Sequence, residues 1–237
     1  MMRHLLAAVL IAASVLASPA LAALSAIHPA IVQHPDARPR KVVLLPPQVF
    51  VYELSAGGVP TRMADWEAAA RDNVSAAALR VAHESGLFEV IPAPALAGEA
   101  RERLEAHIGL YERVAQSVFS FGRGTQGAWA HKQQEFDYTL GPGLAFLRDE
   151  TGADAALIVL GADFISSAGR RAAFIAGLAL GVVMPLGQAF MTAGVVDLET
   201  GDVQWMGFDS SASLDSRQAD DMASLLRDFF RTWPGQK

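Results

Sequence analysis

Three groupings of residues in this sequence have the chemistry for a site. Asp163, Ser166, Ser167, Arg170 and Arg171 fall together at the end of an apolar run. They combine a carboxylate, two hydroxyls and two guanidiniums. Ligands of open α/β sheets favour the carboxyl ends of strands, and Arg170 has the fork geometry to hold a carboxylate or phosphate bidentately. The same residues also suit a plainer role, capping the next helix and pairing with a neighbour. Neither serine sits in a G-x-S-x-G elbow, so a serine nucleophile is not indicated. The second grouping sets Tyr52-Glu53 against Arg71-Asp72. Glu53 and Asp72 would be its acid/base couple, but an ion pair tying the first strand to the first helix is the expectation. The third is Gly122-Arg123-Gly124-Thr125-Gln126-Gly127, which has the glycines of a phosphate cradle. A phosphate loop follows a strand and opens a helix, so that amide N–H groups and the helix dipole face the anion. This segment follows a helical pattern and lacks the Gly-Lys-Ser/Thr ending, so it reads as a linker.

Composition removes further classes. The chain of 237 residues has no cysteine, hence no thiolate ligand, Cys nucleophile or disulfide frame. Its histidines (His4, His28, His34, His83, His107 and His131) form no HxH, HxxxH or HExxH spacing that would bring ring nitrogens onto a metal. A net charge of -6 with no basic stripe argues against nucleic acid as a partner. The expectation is therefore no catalytic constellation, no metal and no cofactor.

Those groupings must be positioned by the elements around them. Met1–Ala22 reads as a secretory signal peptide: Arg3 at the start, an uncharged core from Leu5 to Leu16, Pro19, and Ala20-Leu21-Ala22 before the cut. The expected address is the bacterial periplasm. Residues 23–40, with Pro29, Pro35 and Pro39, read as an extended lead-in to one domain over 41–233, with 234–237 as a tail. Lys41–Pro47 (KVVLLPP) and Ala155–Leu160 (AALIVL) have the composition of strands buried on both faces. Val49–Glu53 extends the first beyond its prolines, and Leu87–Ile91 adds another strand.

Trp66, Ala70, Val74, Ala77 and Val81 give Met63–Ser85 one apolar helical stripe. Leu104, Ile108, Tyr111, Ala115 and Val118 do the same for Gly98–Phe121. Leu144–Glu150 is a short helix. Ala189–Asp197 and Val203–Met206 form a hairpin around Glu199-Thr200-Gly201-Asp202. Ser216–Thr232 closes the chain as a helix capped by Asp215 or Ser216. The order predicts a single-domain α/β sandwich: a mixed sheet of about five strands covered by helices, with a C-terminal hairpin and closing helix.

The chain carries no charge from Ala172 to Val196. With the hairpin strand set aside, Ala172–Gln188 is an apolar insertion holding Gly177, Gly181, Pro185 and Gly187. A membrane span needs roughly 18–20 apolar residues, and Pro185 would interrupt one. A helix of about three turns (Arg171–Leu180) followed by a Gly/Pro loop is the expectation. It lies against the domain or offers Phe174, Leu178, Leu180, Val183, Met184 and Phe190 as a contact surface.

The strand KVVLLPP (Lys41–Pro47), the helix with Trp66, Arg71 and Asn73, GADAALIVLGADF (Gly152–Phe164) and the hairpin VVDLETGDVQW (Val195–Trp205) carry a resemblance. They resemble the envelope domain shared by the curli-secretion channel lipoprotein, the lipoprotein that activates penicillin-binding proteins, and the N-terminal domain of the Tol-system propeller protein. The YELSAGG loop (Tyr52–Gly58), FDYTLG (Phe136–Gly141) and SSAGR (Ser166–Arg170) are similar to an uncharacterised group of proteobacterial envelope proteins. The resemblance implies a non-catalytic module that binds another envelope protein or itself. Several members are lipoproteins, whereas this chain has no cysteine to acylate. In the curli channel, insertions at the corresponding place form the membrane pore. That brings membrane association through 172–191 in as the alternative reading. A periplasmic hydrolase using Asp163, Ser166 or Glu53 is a second alternative.

Overall fold

The computed structural model describes residues 24–121, Lys132 and 135–235. The signal-peptide reading of Met1–Ala22 and the Gly122–Gly127 segment lie outside the described residues. The fold is α/β, built on one mixed sheet of eight strands. In chain order the elements are β1 (Leu24–Ile27), α1 (Pro29–Gln33), β2 (Lys41–Leu44), β3 (Gln48–Leu54), β4 (Pro60–Arg62), α2 (Ala64–Ser85), β5 (Glu89–Pro92) and α3 (Gly98–Phe121). Then come α4 (Ala145–Thr151), β6 (Ala155–Ser166), α5 (Ala168–Ala179), β7 (Gln188–Asp197), β8 (Val203–Ser211) and α6 (Ala219–Arg231).

The sheet runs β1-β8-β7-β6-β2-β5, with β3 also paired to β6 and β4 to β3. The long strand β6 is its spine. Its first residues pair with β2 (Val42 opposite Ala155), its last with β3 (Leu54 opposite Ser166), both parallel. On its other side β7 runs antiparallel along its whole length. Alternation along β6 sends Ala155, Leu157 and Val159 to a core under α2 and α6. Ala156, Ile158 and Leu160 go to a second core under α3 and α4.

The prolines after β2 do more than bend it. Leu44 faces Leu157 while Gln48 faces Leu160, so the first strand holds one residue more than its partner. A one-residue insertion switches every later side chain to the other face. Val42 and Leu44 therefore share the α2/α6 core with Val49 and Val51. Phe50 and Tyr52 turn to the opposite face.

Four expectations are corrected. The sheet has eight strands where about five were expected: the prolines split the first strand in two, and β1 and β4 come from stretches that read as lead-in and loop. Residues 23–40 are not simply extended. Leu24–Ile27 pairs antiparallel with β8, α1 follows, and Ile31 is buried in the α2/α6 core. The closing helix is capped by Gln218, without a side-chain bond, and not by Asp215 or Ser216. Two strands run about twice their expected length, β6 on to Ser166 and β8 on to Ser211, because their second halves pair with β3 and β7 despite a broken apolar run; α2 ends on Gly86 and Gly201 turns the hairpin at φ 79°, as expected.

Candidate functional site

The first grouping is divided between the two faces of β6. Asp163 is buried, and its Oδ2 accepts from both the backbone N–H and the hydroxyl of Ser216, each at 2.8 Å. Burial pushes its carboxyl above the usual range, and the two Ser216 bonds oppose that rise. Beside it, Arg217 binds Asp215 through two hydrogen bonds and lies over the Trp66 ring at 4.2 Å. That bonding holds the Asp215 carboxyl low. The charges of Asp163 and Glu53 also bear on Arg217. The structure thus gathers Glu53, Asp163 and Arg217 on the α2/α6 face.

Strand alternation places Ser166 on the other face from Asp163, so this carboxylate and this hydroxyl do not converge. The Ser166 hydroxyl is buried without a hydrogen-bond partner. Ser167 caps α5, its side chain accepting from the Arg170 N–H. Arg170 is buried, and both Nε and Nη2 donate to the carbonyl of Pro185, at 3.1 and 2.6 Å. Its fork therefore holds a backbone carbonyl of the segment after α5. This is the plainer of the two roles its sequence context allowed.

The second grouping does not form as expected. Arg71 pairs with Glu67 at 3.7 Å, one turn back on its own helix. The tie between the strand layer and α2 is Arg62 to Glu67: Nε donates to Oε1 at 2.5 Å and Nη2 to Oε2 at 3.0 Å. Glu67 is buried, and the Arg62 bond lowers its carboxyl below the usual range. Tyr52 stacks on Phe164, centroids 4.9 Å apart. Among the described residues, no three His, Asp or Glu side chains gather as a metal ion would need.

Two apolar surfaces remain. The first is the projection formed by α5 and 180–187. Gly177 and Gly181 bring the chain round so tightly that the Val182 N–H bonds to the Gly177 carbonyl at 2.8 Å. Ile175, Leu180 and Val183 are 69%, 82% and 75% exposed, and Leu178 and Val182 are exposed too. Of the expected contact surface, Leu178, Leu180 and Val183 therefore project, Phe174 and Met184 lie half-buried, and Phe190 stands at the start of β7 instead. No helix among the described residues is long and apolar enough to cross a membrane.

The second surface has no signature in the sequence. Between the last turns of α3 and strands β3, β6, β7 and β8 lies an open cleft of about 320 Å³. Its walls are the rings of Phe50, Phe119, Phe190 and Phe208, its floor is Gly161 and Ala162, and Glu112 and Gln116 edge it. Phe119 and Phe208 sit 4.4 Å apart, tilted against each other. Phe50 reaches this face only because of the extra residue at the prolines, which a pattern of alternation cannot show. Phe190 belongs to this wall as well as to the start of β7.

No family model and no curated protein matches the chain. Among solved structures it is similar to a PelC dodecamer from Paraburkholderia phytofirmans carrying one leucine-to-methionine substitution. Identity is 11% and the TM-score 0.37, covering 87% of this chain and 97% of that one. A second PelC crystal form from the same organism gives 12% identity and a TM-score of 0.35, covering 87% and 95%.

Proposed function

We propose that this protein is an exported, non-catalytic module of the bacterial envelope that works by binding another envelope protein or itself. The observation that carries the reading is the projection. Ile175, Leu178, Leu180, Val182 and Val183 stand exposed in one uncharged stretch of chain. Contiguous apolar surface of this kind marks an interaction site. The signal-peptide pattern and the resemblance to envelope domains support the same reading. So does the commitment of the polar groups: Asp163 is held by Ser216, Arg170 by Pro185 and Arg71 by Glu67. The test is crosslinking in intact cells, comparing the natural chain with one whose Ala172–Gln188 is replaced by a short polar loop. Loss of the crosslinked products from a chain that still folds supports the reading; an unchanged set of products overturns it.

Contact with a lipid surface is the second reading. It rests on the same stretch, because an exposed tip without any charge is also what an interfacial anchor offers a membrane. Retention in the membrane fraction through high salt and carbonate favours it, and release by osmotic shock argues against it.

A further inference from the structure

Among the described residues, Arg170 is the one cation in the set of buried polar and charged side chains. The two buried acids of that set have donors that suit a charge: Glu67 takes the Arg62 fork, and Asp163 takes the Ser216 amide and hydroxyl. Arg170 has only the neutral Pro185 carbonyl, reached by Nε and Nη2. Its Nη1 donates to no acceptor among the described residues, and neither Arg170 nor Arg171 has a carboxylate partner there. A buried charge without an opposite charge is costly to keep.

The setting adds to the excess of positive charge. Arg170 and Arg171 both stand in the first turn of α5, a helix of 12 residues with no acid in that turn. A helix N-terminus favours anions, so this pair of cations opposes the dipole. The Ser167 cap serves the Arg170 amide and leaves those of Ala168 and Gly169 without an acceptor among the described residues. Ser166, one residue before the cap, is 8% exposed, as Arg170 is, and its hydroxyl has no hydrogen-bond partner. Arg171 Nη1 donates to the Ser166 carbonyl at 2.5 Å, which keeps a second guanidinium at this end of β6. Arg170 Nη1 rests against Gly58 of the β3–β4 loop, where a β-carbon would stand 3.0 Å away and cover it. Ser55, Ala56 and Gly57 of that loop are exposed, so on this side only small residues part the donor from solvent.

We propose that Arg170 is the centre of an oxyanion site at the root of the projection, and that its ligand is a phosphate group. Nη1 gives a charge-assisted bond, the α5 N-terminus gives its dipole and free amides, and Ser166 gives its hydroxyl. Two guanidiniums and a helix N-terminus match the charge of about -1.5 to -2 that a phosphate monoester carries at pH 7, more than a carboxylate can supply. Because the same guanidinium holds Pro185, occupancy fixes Arg170 and steadies 180–187. The site therefore tunes the posture of the projection, whatever the projection binds.

Calorimetric titration of the full exported chain with inorganic phosphate, and with acetate for comparison, tests this beside hydrogen exchange. The natural chain is expected to bind phosphate more tightly than acetate, and phosphate should slow exchange of the Val182 and Val183 amides. Ser166→Ala separates a ligand role from a structural one. Removing an unpartnered buried hydroxyl leaves the fold at least as stable, yet phosphate affinity should fall about 10-fold, the scale of a hydrogen bond to a charged group. Arg170→Lys keeps the charge but gives up the fork, and should weaken binding at least as much; if it fails to fold, Ser166→Ala carries the test alone. Three results overturn the proposal: no phosphate binding at millimolar concentration, acetate bound as tightly as phosphate, or a folded variant with unchanged affinity. Retention on phosphatidylglycerol vesicles that free phosphate displaces supports the site and places its phosphate on a lipid headgroup; retention without displacement leaves free phosphate or a soluble monoester as the source. None of these results decides whether the projection binds a neighbour, which crosslinking decides separately.

Discussion

Asp163 and Ser216 are 53 residues apart in sequence, yet one carboxylate oxygen of Asp163 accepts both the amide and the hydroxyl of Ser216 at 2.8 Å. The pair anchors the turn before α6 to the end of the spine strand β6. Asn73 of α2 donates to the Ser216 carbonyl at 3.2 Å and ties in the third element. A buried carboxylate that keeps the amide bond but loses the hydroxyl is left part-satisfied, at a cost of about 1–3 kcal/mol. Ser216→Ala is therefore expected to destabilise the protein on that scale at neutral pH. Because burial raises the folded-state carboxyl above its unfolded value, lowering the pH through that raised range protonates Asp163 in the fold first. The deficit of Ser216→Ala should shrink there. Urea unfolding of both proteins at pH 7.5 and at about pH 4.5 measures it; a deficit independent of pH would mean the carboxylate is not what the hydroxyl serves.

Glu67 has the opposite sign. Its folded-state carboxyl is held low by Arg62, so the stability it contributes is present above the unfolded value and is lost as pH falls through the folded one. Glu67→Gln should be less stable than the natural chain at pH 7 and equal to it in strong acid. Arg62→Met should behave alike, since it removes the other end of the same bond. Thermal unfolding from pH 7 down into strong acid checks both, and a Glu67→Gln curve parallel to the natural one throughout would refute the assignment.

What the sequence discloses here is local, and what it hides is pairing. Trp66 to Val81 and Leu104 to Val118 name their own helices because period and burial agree, and Glu199-Thr200-Gly201-Asp202 names its own turn. The second half of β6 was invisible. Gly161 and Asp163 break the apolar run, and the partner that makes a buried Asp163 tolerable, Ser216, lies on a distant loop. The cleft was hidden for a related reason. Phe50 and Tyr52 change face through one added residue at Pro46-Pro47, and that is visible only once the β6 register is known. The exposed projection was legible as an uncharged stretch, but its outward direction was not, because the same residues suit a core helix.

Gly194 shows how tightly the α3 face is packed. Tyr111 is fully buried, and its hydroxyl meets the Thr192 hydroxyl at 3.3 Å. A β-carbon at position 194 would stand 2.4 Å from the Tyr111 ring. Gly194→Ala must push that ring or β7 aside, and overpacking of this kind costs about 1–3 kcal/mol. Tyr111→Leu in the Gly194→Ala background should recover part of the loss. A double-mutant cycle by urea unfolding gives the coupling, and strictly additive effects would show that the ring is not the obstacle.

Arg170 sets the posture of the projection. Its guanidinium holds the Pro185 carbonyl by two bonds, and the adjacent Nη1 leaves little space over Gly58, where an added β-carbon would stand 3.0 Å away. The returning segment 180–187 has no strand pairing of its own, so this clamp is its main tie to the β3–β4 loop and the root of α5. Arg170→Met keeps most of the buried stem but gives up both hydrogen bonds. Exchange of the Val182 and Val183 amides, and protease cleavage near Leu180, should speed by at least about 10-fold, while amides in the centre of β6 keep their protection. Loss of the two bonds should also slow recruitment of whatever the tip binds, because a loosened tip must be ordered again on contact. Hydrogen exchange followed by mass spectrometry separates the cases: faster exchange confined to 180–187 supports the clamp, and faster exchange throughout the sheet would make Arg170 a support of the whole fold.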